Sequence, residues 1–153
     1  MKKTIIFNFH KSKGLVASLI RWQTRSQDVN HVSFTFEDNV TFESTLLLGA
    51  RKIINRSQHD IIKRVEVELS GKDVENFRQY AESELNKGYD FKAIIGFLIN
   101  KKLENPNALF CSEYAAKIGD YIEGFPKTNT LISPKEIMNQ LIAFMSGKRY
   151  EAR

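Results

Sequence analysis

A chain of 153 residues that is 42% hydrophobic and 11% aromatic can build one domain with a real core, without metal or disulfide staples. Its net charge of +5 is scattered, with basic runs no longer than pairs such as Lys101-Lys102 and Lys148-Arg149, which argues against a nucleic-acid-binding face. A lone cysteine rules out an internal disulfide framework, and no apolar run approaches the roughly 20 residues that span a bilayer.

The segment from Met1 begins like a signal peptide, but the apolar run stops at His10-Lys11 and no small-residue cleavage site follows. It is read instead as a first strand over Thr4 to Phe9, and a soluble, unanchored, cytoplasmic protein is expected. Leu15, Val16, Leu19, Ile20 and Trp22 recur at helical spacing and predict a helix ending near Arg25. Trp22 on that face either closes a core or lines a substrate groove.

From His31 to Glu37 the pattern alternates, with Val32, Phe34 and Phe36 on one side and His31, Ser33, Thr35 and Glu37 on the other. Val40 to Ser44 resumes as a second strand after the turn residues Asp38-Asn39. A loop of Glu37-Asp38-Asn39 puts Phe34 opposite Phe42 and Glu43 opposite Ser33, diagonal to His31. A two-residue loop would strand the Glu43 carboxylate among phenylalanines, so the longer loop is expected.

Leu46 to Asp60 reads as mixed loop and short strand, and Arg64 to Leu69 as a further strand. Ser70 caps a predicted helix through Val74, Phe77, Ala81 and Leu85, with Gly88 as its terminator. Tyr89-Asp90 opens a second apolar helix to about Leu98, and Asn105-Pro106-Asn107 breaks the chain. From Phe110 a helix runs toward Gly124, and Ser133-Pro134 starts another over Lys135 to Met145. His10 and His59 fall in polar, loop-like surroundings and receive no role.

Cys111 falls at the first turn of its predicted helix, where backbone amides carry partial positive charge that favours a thiolate. Such a cysteine is a nucleophile if an imidazole reaches it, and a small core residue otherwise. His31 on the polar face of its strand supplies a base, and Glu43 on the neighbouring strand can orient that base. Three scattered histidines and one cysteine have no metal-ligand spacing, so no metal or other cofactor is expected.

The chain resembles the circularly permuted NlpC/P60 cysteine peptidases, the YiiX-like group. The likeness rests on Leu19-Ile20-Arg21-Trp22 with Thr24-Arg25-Ser26, on His31-Val32-Ser33 and on Val40-Thr41-Phe42-Glu43. It continues through Tyr89-Asp90 with Gly96-Phe97-Leu98, Phe110-Cys111-Ser112-Glu113-Tyr114 and Ile132-Ser133-Pro134. It implies an α+β, permuted papain-like fold over residues 1–153, with a small antiparallel sheet packed on helices that include the cysteine-bearing one. It also implies Cys111 as nucleophile, His31 as general base and Glu43 as the orienting carboxylate, in a different chain order from papain.

The family chemistry is thiol attack on a carbonyl through an acyl-enzyme. Unpermuted relatives cut amide bonds in cell-wall peptides, whereas lecithin:retinol acyltransferase relatives move acyl groups. A peptide or cell-wall fragment is therefore the expected substrate, with an acyl or lipid substrate or a non-catalytic binding domain as alternatives. Trp22, Ser33, Tyr89 and Asp90 are the expected substrate contacts. Ser33 stands where many permuted members carry glycine, and is expected to crowd or polarise the site.

Overall fold

The computed structural model describes residues 1–13, 28–88, 110–126 and 132–147. These form an α+β arrangement in which five strands make one antiparallel sheet: β1 (Lys2–His10), β2 (His31–Phe36), β3 (Val40–Thr45), β4 (Gly49–Ile54) and β5 (Ile61–Ser70). The spatial order is β4-β3-β2-β1-β5, so the N-terminal strand lies inside the sheet. The described helices are α1 (Gly71–Ser83), α2 (Cys111–Ala116), which tightens into a 3-10 turn over Lys117–Asp120, and α3 (Pro134–Met145).

Alternation gives the sheet two unlike faces. In-register partners share a face, so Phe7, Phe34 and Phe42 line up across β1, β2 and β3. Helix α1 lays Phe77 on this row, 4.9 Å from the Phe34 ring, and α2 adds Tyr114 edge-on at 5.0 Å. Asn8, Ser33, Thr35, Thr41 and Glu43 occupy the opposite face, and none of them is exposed. There Asn8 donates to Thr35 Oγ1 at 2.9 Å, and the Thr35 and Thr41 hydroxyls are 2.8 Å apart.

The β2–β3 hairpin has the three-residue loop read from its sequence. Asn39 takes the left-handed conformation at φ 62°, which asparagine tolerates well. Its N–H donates to the Phe36 carbonyl at 3.0 Å. The resulting register sets Ser33 against Glu43 and Phe34 against Phe42.

Helix α1 is capped as expected, with the Ser70 hydroxyl accepting from the Asp73 N–H at 3.1 Å. Its end differs from the sequence reading, because Asn86 at φ 69°, and not Gly88, turns the chain out of the helix. The chain then leaves the helix axis to pair with β4: Asn86 donates to the Ala50 carbonyl at 3.0 Å and Ala50 to that of Lys87 at 2.8 Å. Gly49 permits this approach, since a Cβ on it would lie 2.1 Å from the Lys87 carbonyl oxygen.

The helix expected from Phe110 to Gly124 is shorter than its periodicity suggests. It tightens after Ala116 because Phe125 folds back onto Gly119, where a Cβ would meet the Phe125 ring at 2.9 Å. Helix α3 starts as read: Ser133 and Glu136 cap each other reciprocally, at 2.7 Å and 3.2 Å, with Pro134 in the first turn. The predicted helices over Leu15 to Arg25 and Tyr89 to Leu98 lie outside the described residues, as does the segment from Lys148 onward. No described helix is long and apolar enough to cross a membrane.

Candidate active site

Three separate pieces of backbone geometry bring Cys111, His31 and Glu43 together. His31 is the first residue of β2 and Glu43 sits one diagonal step away on β3, so His31 Nε2 comes within 3.1 Å of Glu43 Oε2. His31 also interacts with the Cys111 side chain, which together with Glu43 raises the imidazole. Cys111 opens α2, and this short helix is fixed at both ends of its first turn. Ser112 donates to the Ile132 carbonyl, Tyr114 Oη donates to the Ala81 carbonyl at 2.5 Å, and the Glu113 carboxylate accepts from the Phe110 N–H at 3.0 Å.

The Glu43 carboxylate is 1% exposed and fully engaged. Arg51, its in-register partner on β4, donates to Oε1 from Nη2 at 2.6 Å and from Nε at 3.0 Å. Arg56 Nε donates to Oε2 at 2.8 Å. Burial disfavours the carboxylate, but the His31 hydrogen bond and charge, then Arg56 and Arg51, outweigh it and hold Glu43 well below the usual carboxylate range. The same balance raises His31. Burial disfavours its charged form, yet the hydrogen bonds and charges of Cys111 and Glu43 overcome that cost and lift the imidazole to about 9.

A second histidine joins this group. His10 is the last residue of β1, not part of a loop, and it is wholly buried with its ring centroid 5.1 Å from that of His31. Antiparallel pairing places the two residues directly opposite each other. His10 Nδ1 is 3.1 Å from Asp60 Oδ1, and Nε2 is 2.8 Å from Ser33 Oγ. Asp60 also receives Arg56 Nη1 at 3.2 Å, so Arg56 bridges the carboxylates of Asp60 and Glu43.

Ser33, expected as a substrate contact, is fully buried and its hydroxyl is engaged with His10. Trp22, Tyr89 and Asp90 lie outside the described residues. Sequence reasoning missed His10, Arg51, Arg56 and Asp60. Extending β1 by one residue would have paired His10 with His31, and continuing the hairpin register into β4 would have found Arg51. His59 is exposed, and among the described residues no group of three or more His, Cys, Asp or Glu side chains is arranged to hold a metal.

The described residues line a polar cleft and a more apolar one. The polar one, of about 200 Å³, is lined by Asn8, Thr35, Thr41, Asn55 and Arg56 among others. The other, of about 310 Å³, has Val29, Ile62, Met138 and Ile142 in its walls, with Asp28, Lys63 and Lys135 among its lining residues. Its Val29 lies two positions before His31. No protein-family model matches this chain and no curated protein does, so the assignment of chemistry rests on the geometry just described.

Proposed function

We propose that the protein is a cysteine hydrolase with a permuted papain-like fold of the NlpC/P60 kind, cleaving an amide bond in a small peptide or peptidoglycan-derived substrate. The observation that carries this reading is a single buried imidazole bonded to the Glu43 carboxylate and raised by its interaction with the Cys111 side chain. An imidazole lifted to about 9 is protonated at neutral pH, so an imidazolium faces the thiol, and a neighbouring cation favours the ionised, nucleophilic form of a cysteine. The thiolate attacks the amide carbonyl, the C–N bond breaks, and the His31 proton leaves with the amine. The now neutral ring takes a proton from water, whose oxygen attacks the acyl-enzyme and releases the acid and the thiolate. The Cys111 N–H is a candidate donor to the oxyanion.

A nucleophilic free thiol belongs in a reducing compartment, and we place the reaction in the cytoplasm.

The test is labelling of Cys111 with a thiol-directed activity probe, followed by a panel of peptide amides and lipid esters. Labelling should fall at least about tenfold in His31→Ala and turnover should be confined to the amides. Equal labelling of wild type and His31→Ala would overturn the hydrolase reading, and turnover of lipid esters alone would move it to the acyl-transfer branch.

A further inference from the structure

The triad leaves unexplained why a wholly buried histidine lies against His31. A carboxylate only accepts, so Asp60 fixes the His10 proton on Nδ1 at 3.1 Å, and Nε2 must then accept from the Ser33 hydroxyl at 2.8 Å. Ser33 Oγ in turn receives a long contact from Asn8 Nδ2 at 3.5 Å. Hydrogen bonding therefore determines the tautomer and orientation of His10 completely. Ser33 is also the in-register partner of Glu43, so the hydroxyl that holds His10 sits on the residue beside the orienting carboxylate.

The strands are shaped to allow this. The β1–β5 register shifts between Phe9 and His10, which brings Ile61, the residue after Asp60, opposite His10. Such irregularities next to sites commonly re-aim side chains. Arg56 then closes a circuit, from His31 to Glu43, through Arg56 to Asp60 and His10, and back to His31 by ring contact.

We propose that His10, with Asp60 and Ser33, is a positioning unit for His31: a ring of fixed tautomer packed against the imidazole and tied through Arg56 to the carboxylate that orients it. This rests on the hydrolase reading above and adds residues to its machinery that touch no reacting atom. Among the described residues, the charged and titratable groups facing His10 are His31 from β2, with Asp60 and Arg56 from the segment before β5. Burial, then the charges of His31 and Arg56, lower His10 to about 4 despite Asp60, so a second cation does not arise beside His31 at neutral pH.

The experiment measures the rate of Cys111 alkylation by iodoacetamide and the NMR titration midpoint of His31, in the full chain and across pH. His10→Gln and Asp60→Asn should each slow alkylation at neutral pH by about tenfold, because a misplaced ring loses its reach to the thiol. Both should bring the His31 midpoint down from about 9 toward 6.5. If His10→Gln does not fold, Asp60→Asn, at the partly exposed end of the unit, decides the matter. A folded variant with lowered thermal stability but wild-type alkylation and an unmoved His31 midpoint overturns the proposal, provided His31→Ala is slow. Fast alkylation of His31→Ala overturns the hydrolase reading, and this one falls with it.

Discussion

His10 and His31 lie ring to ring, yet their surroundings drive them in opposite directions. His10 is lowered from 6.5 to about 4, first by burial. It therefore contributes stability above 6.5 that is lost as pH falls through 4. His31 is raised from 6.5 to about 9, with Cys111 and Glu43 overcoming burial, so its contribution is complete below 6.5 and is lost as pH rises through 9. Each limb amounts to about 3 kcal/mol over its window. Urea unfolding across pH should thus show a stability maximum near 6.5. His31→Gln should remove the alkaline limb, and His10→Gln should remove the acid limb and, by lowering the His31 midpoint, weaken the alkaline one as well. A profile that stays level through both windows would contradict the opposed shifts.

At the scale of elements, the β2–β3 hairpin decides which face Glu43 occupies. Strand side chains alternate, so deleting Asp38 to shorten the loop would move β3 by one position and turn Glu43 into the Phe34 and Phe77 row. Circular dichroism and thermal melts should show loss of the fold in that variant, whereas Asp38→Gly should cost no more than about 1 kcal/mol.

This hairpin was legible because alternation, turn residues and the cost of a misplaced carboxylate all agree on one register. The caps at Ser70 and Ser133 were legible for a similar reason, each being a local hydrogen bond within four residues. The end of α1 was not, since Asn86 turns the chain in response to the Ala50 backbone on a distant strand. Helix α2 was overextended for the same kind of reason: periodicity cannot register the return of Phe125 onto Gly119.

Among the described residues, α1 and α2 lay rings on the apolar face of the sheet, while Asn8, Ser33, Thr35 and Thr41 on the other face bond to polar neighbours. The α+β class follows from the alternation of short strands and capped helices. The meeting of His31 and Glu43 was legible because the two share a hairpin. The wider network was hidden because its closing contacts are long-range: His10 meets Asp60 across 50 positions, and Arg56 and Asp60 come from a segment with no periodic pattern.

The interior place of β1 has a kinetic consequence. Its partners are both downstream, with Ile5 paired to Phe36 on one side and to Val67 on the other. One edge of β1, a strand rich in Ile and Phe, therefore waits for its partner until β5 has been made. A sheet closed by such distant pairings carries a high contact order, and refolding from denaturant should take roughly milliseconds to seconds. Valine-to-alanine changes at Val67 should slow that refolding if β1–β5 docking belongs to the nucleus, and should speed unfolding alone if it comes after it.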